Sequence, residues 1–463
     1  ASRCQREGRG FEPLCPLQIM EDLSKKKCIA CEGNIPPFDK DEIQMILDNE
    51  FGNLAPDAIY NVSMYKVVYN TIDPYGNEVI ASGVIGYPEN LNQAFPIISW
   101  QHGTEVRREN VSSNNGFNIL SLWLTTRGYI FLEPDYLGLG ESELLHPYCM
   151  KDPSAWTTID LIRSAKTFFN NEDENIFYPI TSNNDLILFG YSEGGYVSMA
   201  AHYILENQNI NEFNLLASFP MAGPYDLSGI MVDLMLTQEP YGEPYYLPYV
   251  LVPYINYYEL GALSEYFLPD YAEMFEYLFN GEYSGSYINS IMPEIPIEVL
   301  LPSVIEHFTN DTSHPLRLKL FENNLWDWSP NADMYLFHGL GDELIPYENS
   351  ELAYNSFINS GSENVYLYLA PEEYGGHSEV AQYCLISAYQ ICEDNYKSIL
   401  SKGDLNKDQI FNIQDILIII DLILHEENNN DLLLWVSDIN NDQEISVLDV
   451  ILLTSLILEA NNE

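Results

Sequence analysis

Residues 186–204 read LILFGYSEGGYVSMAAHYI. Four apolar residues run into Gly190-Tyr191-Ser192-Glu193-Gly194-Gly195, and a helical spacing of apolar residues follows at once. A short apolar run stopped by glycine reads as a buried strand, and the segment after it as a helix. A serine at so tight a strand-to-helix turn stands out from the edge of a sheet, where a substrate can reach it. Gly190 and Gly194 relieve the crowding of that turn, and Gly195 lets the helix pack closely. A serine hydroxyl is a weak nucleophile near neutral pH. It needs a base for its proton and donors for the oxyanion that forms. The backbone N–H of Glu193, at a helix N-terminus, points where such an oxyanion would sit.

Working outward, VSMYKVVYNT and EVIASGVIGYP alternate like strands around the turn DPYGN. FPIISWQHGT, GYIFLEPDYLGLGES, DLILFGYS, LLASFPMAG, ADMYLFHGLGDELIP and NVYLYLAPEEYGGH each begin with a short apolar run. Helical patterns lie between several of them, among them SAWTTIDLIRSAKTFFN. Apolar strands alternating with helices predict an α/β fold, a mostly parallel sheet covered on both faces. Residues 226–328 break this rhythm. They are rich in Tyr, Pro, Leu and Glu and carry no buried-strand pattern. Their apolar content is too high to leave in water, so the segment reads as a mostly helical cap over the C-terminal edge of the sheet.

The partners of the serine should follow as an acid and then a histidine, each after a later strand. Asp342 follows MYLF, and His377 follows VYLYLA. His377 would act as general base and then acid, and Asp342 would fix its tautomer and stabilise the imidazolium. Asp333 precedes its strand, at the wrong sheet edge, and Glu343 neighbours the better-placed Asp342. His202 lies inside the helix after the serine and reads as structural. His338 lies in the acid loop and suits an orienting hydrogen bond. In ISWQHGTEV, Gly103 permits close backbone approach and the N–H of Thr104 is a candidate second oxyanion donor.

Beyond residue 400 the segment SKGDLNKDQIFNIQDILIIIDLIL is echoed 34 residues later by VSDINNDQEISVLDVILLTSLIL. Asp404, Asn406, Asp408, Asn412 and Asp415 occupy positions 1, 3, 5, 9 and 12 of a loop, as do Asp438, Asn440, Asp442, Ser446 and Asp449. Ile410 and Glu444 offer backbone carbonyls at position 7. This is the oxygen-ligand spacing of an EF-hand calcium loop, and it predicts two Ca²⁺ sites. Position 6, usually Gly for its left-handed turn, is Gln409 and Gln443, which strains the loop.

The set QHGT, EPDYLGLGES…HPY, GYSEGGY, HGLGDELIP and GGH resembles the α/β-hydrolase superfamily, and most of all its secretory-lipase-like esterase branch. The resemblance covers about residues 55–397. It implies a Ser192–Asp342–His377 triad, ester hydrolysis through an acyl-enzyme without a cofactor, and a lid formed by the inserted segment. Asp135 and Tyr136 match a family motif near the site without a catalytic role. The paired loops, each leading into one apolar helix, resemble dockerin modules, which often bind cohesins. That implies a small all-α module at 401–463 and a cohesin-like partner, or anchoring by some other route. The catalytic domain is then expected at 51–400 with its cap at 226–328.

The first 50 residues fit neither unit and read as an irregular, spurious or misjoined segment. ASRCQREGRGFEPLCPLQ is basic in an acidic chain and is similar to a conceptually translated transfer-RNA gene, which points to Met20 as a start. SKKKCIACEGNIPPFDKDEIQMIL resembles the opening of pterin carbinolamine dehydratases and stops before that family's catalytic histidines. Four of the seven cysteines (Cys4, Cys15, Cys28, Cys31) lie here. Cys28-x-x-Cys31 lacks a second ligand pair for zinc. If Cys384 and Cys392 share one helix, eight residues put them about 12 Å apart, too far to bridge. A disulfide framework is not indicated.

A net charge of −50, from 69 acids against 19 bases, argues against nucleic acid and anionic membranes as partners. No run approaches the roughly 18 apolar residues of a membrane span. A secreted or cell-surface enzyme is expected, although no secretory signal is recognisable. Three readings compete: a serine esterase or lipase, a serine peptidase of aminopeptidase or dipeptidyl type with Glu193 or cap acids holding the substrate amine, and a non-catalytic scaffold. The intact order of serine, aspartate and histidine disfavours the last. The cap's aromatic and aliphatic residues favour an acyl-chain or aromatic ester.

Overall fold

The computed structural model describes residues 38–115, 118–169, 181–425 and 431–460. The readings placed on Cys4, Cys15, Met20, Cys28 and Cys31 lie outside the described residues.

A nine-stranded sheet runs in the order β1 (Val62–Ile72), β2 (Glu78–Pro88), β4 (Ile130–Pro134), β3 (Gln93–Gln101), β5 (Ser182–Tyr191), β6 (Asn214–Met221), β7 (Asp333–Gly339) and β8 (Val365–Ala370), with β9 (Leu400–Ser401) on β3. β1 and β2 are antiparallel, as are β2 and β4. From β4 through β3, β5, β6 and β7 to β8 every pairing is parallel. All parallel strands therefore end at one edge. Alternate residues feed two cores, as the period of a strand requires. Ile97, Leu132, Leu186, Leu188 and Leu336 face the helices Lys151–Phe169, Glu193–Asn207 and Glu348–Asn359. Ile98, Phe131, Ile187, Phe189 and Phe337 face Leu124 and the helix His377–Asn395. This is a mixed α/β fold with helices on both sides of a central sheet.

Between β6 and β7 the chain forms six α-helices and no strand, from Ile230–Met235 to Pro315–Glu322. Cys149, Cys384 and Cys392 are buried free thiols, the last two on one helix, His377–Asn395. Burial pushes the thiols of Cys384 and Cys392 up to about 12.

Two departures from the sequence reading concern the ends. The irregular segment expected to reach residue 50 gives way to a regular helix at Lys40–Phe51. Asp39 caps it by accepting from the N–H of Asp41 at 2.8 Å, and Ile43 and Leu47, one turn apart, are fully buried beside Val62, Val84 and Trp123. At the other end, the paired loops are joined to the sheet by β9, where Leu400 pairs with Ala94 and Ser401 with Gln93. A short helix, Asp431–Ser437, also lies between the two long helices Ile413–His425 and Val447–Ala460. Leu405, Ile416, Ile419, Val436 and Leu453 form a core of their own there.

His202 is structural: its Nδ1 lies 2.7 Å from Ser218 Oγ and its Nε2 2.9 Å from Glu206 Oε1. Glu206 also accepts from the N–H groups of Asn331 and Ala332, which lead into β7. Burial alone would raise this carboxyl, but His202 and those N–H groups together bring it down to about 2. A folded-state value below the unfolded one, about 4.3, contributes stability that is present above that pH and lost as pH falls toward 2. Glu206→Gln should therefore lower the melting temperature at pH 6–7, with the deficit shrinking below pH 4.5 and gone near pH 2. Thermal melts of both proteins from pH 2 to 7 check this; a deficit that ignores pH would assign the role to packing.

Candidate active site

Ser192 sits between β5 and the helix Glu193–Asn207 with φ 61° and ψ −123°, a conformation that L-residues rarely adopt. The surrounding backbone enforces it. The Ser192 N–H donates to Met221 O at 2.9 Å, and Ser192 O accepts from the Tyr196 N–H at 3.2 Å. A Cβ on Gly190 would lie 2.1 Å from Gly194 O, one on Gly194 1.9 Å from Gln101 O, and one on Gly195 2.3 Å from Met221 O. Gly190 thus serves the turn itself. Gly194 and Gly195 serve the approach of the helix to the ends of β3 and β6.

The elements that carry Asp342 and His377 bring both to this point. His377 Nε2 is 2.9 Å from Ser192 Oγ, and His377 Nδ1 is 2.6 Å from Asp342 Oδ2. All three side chains are buried, and the hydroxyl lies at the sheet edge where the parallel strands end. Asp342 Oδ1 accepts from the N–H groups of Leu344 and Ile345 at 3.0 and 2.8 Å. His338 Nε2 stands 3.3 Å from Asp342 Oδ2, while its Nδ1 faces Ser350 Oγ at 2.8 Å. Burial, the largest influence, pushes the Asp342 carboxyl up. The hydrogen bonds and charges of His338 and His377 outweigh it and hold it well below the usual carboxylate range. The other two acids are engaged elsewhere: Asp333 accepts from the Tyr396 hydroxyl, and Glu343 accepts from the His377 N–H at 2.9 Å.

The loop after β3 lies against the serine, since a Cβ on Gly103 would be 3.7 Å from Ser192 Cβ. Tyr136, itself at φ 67°, stacks on the His102 ring at 4.2 Å and donates to His102 O at 2.9 Å. Asp135 is fully buried and accepts from the hydroxyls of Ser82 and Ser113, which suits a scaffolding role. Two contacts escaped the sequence reading. Thr104 Oγ1 is 2.7 Å from the Tyr148 hydroxyl, and Glu193 Oε1 is 2.7 Å from His146 Nε2. Partners 44 and 47 residues apart leave no periodicity to read.

A pocket with about 470 Å³ of empty space, its open mouth included, adjoins the site. Leu227, Met231, Leu234, Val250 and Ile345 line it with Tyr148. Tyr148 touches Thr104, and Ile345 donates to Asp342, so the pocket shares its walls with the loops that hold the candidate site.

In the C-terminal loops the two halves repeat the same set of backbone N–H to carboxylate bonds. Asp404 accepts from the N–H groups of Asp408 and Gln409 at 3.1 and 2.9 Å, and Asp438 from Asp442 and Gln443 at the same distances. Asp415 accepts from Leu405 and Asn412, and Asp449 from Ile439 and Ser446. Gln409 and Gln443 take φ 63° and 66°, the left-handed turn that position 6 demands. Asn406 donates to Asp408 at 2.8 Å and Asn440 to Asp442 at 2.7 Å, so positions 3 and 5 face each other. Among the described residues no three His, Cys, Asp or Glu side chains gather into a group able to hold a metal by themselves. Beside their carboxylates, the first loop also carries the amides of Asn406 and Asn412, and the second the amide of Asn440 and the hydroxyl of Ser446.

No family model matches the chain. A protein from Rickettsia canadensis (strain McKiel), named as a pterin-4-alpha-carbinolamine dehydratase, is 31% identical over 99 residues, which are 20% of this chain and 89% of that protein. By sequence, that fifth of the chain belongs to the pterin-4-alpha-carbinolamine dehydratase family. The rice cell wall degrading esterase LipA from Xanthomonas oryzae is similar in structure, with TM-score 0.68 and 27% identity, over 78% of this chain and 96% of its own. A hydrolase structure from Legionella pneumophila gives TM-score 0.69 and 27% identity over the same shares. Candida antarctica lipase A in its closed state, 12% identical with TM-score 0.57 over 78% of this chain and 80% of its own, shares the fold alone. The chain's architecture is that of α/β-hydrolase esterases and lipases, and its likeness to LipA supports an ester-cleaving hydrolase.

If Asp342 orients His377, Asp342→Asn should lower kcat about 10⁴-fold at pH 7 with a folded, soluble protein. Ser192→Ala should lower it by about 10⁶, and the double variant should lose no more than Ser192→Ala alone. Additive losses in a kinetic comparison of the three would break the unit apart.

Proposed function

We propose that the chain is a serine carboxylic ester hydrolase that works through an acyl-enzyme on Ser192. The observation that carries this reading is His377, which bridges Ser192 Oγ at 2.9 Å and Asp342 Oδ2 at 2.6 Å. Nδ1 holds its hydrogen toward Asp342, which leaves the Nε2 lone pair for the serine proton. Ser192 Oγ attacks the ester carbonyl carbon as His377 takes that proton. The carbonyl oxygen becomes an oxyanion between the N–H groups of Glu193 and Thr104. Collapse expels the alkoxide, which takes the proton from His377. Water, deprotonated by the same imidazole, then releases the acid and restores Ser192. No cofactor enters these steps.

The pocket beside the site is apolar, which favours an aliphatic or aromatic acyl group over a charged one. The likeness to a cell wall degrading esterase adds plant cell wall esters to the substrates to be tried. The peptidase reading placed Glu193 or acids of the cap against a substrate amine. Glu193 is 1% exposed and already paired with His146, so it is not offered to a ligand. With the full chain, p-nitrophenyl esters from C2 to C16 should be turned over and aminoacyl p-nitroanilides should not. Met231→Trp should move the chain-length optimum to shorter acids. Amide turnover without ester preference would replace the esterase reading with the peptidase one.

We further propose that the C-terminal segment is a dockerin-like module with two Ca²⁺ sites, and that the protein works outside the cell or at its surface. The donor sets are all oxygen, as a hard cation needs: Asp404, Asn406, Asp408, Ile410 O, Asn412 and Asp415, and their counterparts Asp438, Asn440, Asp442, Glu444 O, Ser446 and Asp449. Bound calcium would supply fold stability there and no catalytic step. A cohesin-like protein is the proposed partner, and no helix among the described residues is long and apolar enough to cross a membrane. Calcium should raise the melting temperature of the module's transition and chelation should reverse it, with both effects lost in Asp415→Ala/Asp449→Ala. A melt indifferent to calcium would remove the metal from the account.

A further inference from the structure

Glu193 follows the nucleophile directly, yet its side chain takes no part in the steps above. Its carboxylate is buried, with Oε1 2.7 Å from His146 Nε2 and Oε2 without a donor. His146 is buried as well, and its Nδ1 is 2.6 Å from Leu137 O. A carbonyl only accepts, so Nδ1 carries a hydrogen, and one proton is shared between Nε2 and Oε1. Two residues later the Tyr148 hydroxyl reaches Thr104 Oγ1 at 2.7 Å. The segment between them is short and closely packed. The Tyr148 N–H donates to His146 O at 2.9 Å, and Gly138 lies so close that a Cβ there would be 2.6 Å from the His146 backbone. The Tyr249 ring lies against both, 5.7 Å from His146 and 4.7 Å from Tyr148 between ring centres.

We propose that His146-Pro147-Tyr148 is a positioning clamp that sets the width of the oxyanion hole. The inference rests on the esterase reading above. The two candidate donors, the N–H groups of Glu193 and Thr104, come from loops after different strands, β5 and β3. No sheet hydrogen bond fixes the gap between those loops beyond the pairing of Gln101 with Gly190. His146 holds the first residue by its carboxylate and Tyr148 holds the second by its hydroxyl. Both holds issue from one three-residue segment. Oxyanion donors act only over a narrow range of distance, about 2.7–3.1 Å, so a clamp of this kind governs kcat and leaves substrate binding alone. Neither His146 nor Tyr148 is a catalytic residue in this account.

The test uses the full chain and one p-nitrophenyl ester, with kcat and KM measured separately. Glu193→Ala should lower kcat by about 10–100-fold with KM unchanged. Glu193→Gln should recover kcat to within about threefold, because an amide N–H can donate to His146 Nε2 while Nδ1 keeps its carbonyl. Tyr148→Phe keeps the ring in the pocket and removes the hydroxyl that meets Thr104 Oγ1. It should lower kcat about 3–10-fold at constant KM. Affinity for an alkyl trifluoromethyl ketone, whose adduct mimics the tetrahedral intermediate, should fall in step with kcat in Glu193→Ala and Tyr148→Phe. If both variants keep kcat and ketone affinity, or change KM instead, the clamp is overturned. Should Glu193→Ala not fold, Tyr148→Phe decides alone. Ser192→Ala runs beside them: if it retains turnover, the esterase reading itself fails, whereas its loss with unaffected clamp variants sinks only the clamp.

Discussion

The closeness of one helix N-terminus to three strand ends governs the rest of this molecule. Gly194 and Gly195 let the helix that follows Ser192 touch Gln101 O at the end of β3 and Met221 O at the end of β6. A Cβ at either position would fall 1.9 or 2.3 Å from those oxygens, so helix and strand would have to part. With the helix so near, the turn between β5 and the helix has a single path, and that path holds Ser192 at positive φ. Such a conformation costs about 1–3 kcal/mol, offset by the paired backbone on both sides. The same turn sets Ser192 Oγ at the sheet edge, 2.9 Å from His377 Nε2. The β3 loop reaches that place too, because Gly103 adds no bulk against Ser192.

The second constraint is electrostatic. A carboxylate buried as deeply as Asp342 survives only if its oxygens are fully engaged. Two backbone N–H groups take one oxygen and two imidazoles face the other. Under the proposed function, its pull on His377 Nδ1 fixes the tautomer that frees Nε2 for Ser192. Because the folded value of Asp342 lies below its unfolded one, its charged form contributes stability above about pH 4 and loses it as pH falls. The same bonds therefore hold the acid loop in place and set the proton inventory of the site.

The parallel strands, the turn at Ser192 and the order of acid and histidine were legible because each follows from a short local pattern. Strand ends are marked by apolar runs meeting Gly or Asp, and parallel strands must share one functional edge. Asp342 could be preferred over Asp333 on that ground alone, and Asp333 indeed turns to Tyr396. Gly194 was read as part of the turn, and its contact with Gln101 O needed the neighbouring strand to be seen. β9 is two residues long, too short for any alternation to register. The helix at Lys40–Phe51 was hidden by the charged, family-foreign sequence around it, although Asp39, Ile43 and Leu47 carry the cap and spacing of a helix. Pairs such as Glu193 with His146 join distant loops, and no window of local sequence contains both.

The tyrosines of the inserted segment do more than line the pocket, where Tyr241 and Tyr246 stand. Read alone, they suggest an aromatic lining for substrate. In the fold, many donate their hydroxyls to backbone carbonyls of the loops that carry the site. From the helix Tyr246–Tyr257, Tyr249 donates to Glu105 O, Tyr254 to Cys149 O and Tyr257 to Leu145 O, while Tyr241 donates to Leu344 O beside Asp342. The rings supply apolar area and the hydroxyls satisfy carbonyls that the cap would otherwise strip of water. Lifting that helix would break three such bonds, each worth about 1 kcal/mol net, and would expose Tyr249 and Tyr254 besides. A lid that swings as one body is therefore disfavoured for this segment. The helix Tyr246–Tyr257 ties the β3 loop to the chain on either side of His146–Tyr148 through these bonds and lines the pocket with Tyr246, Leu247 and Val250.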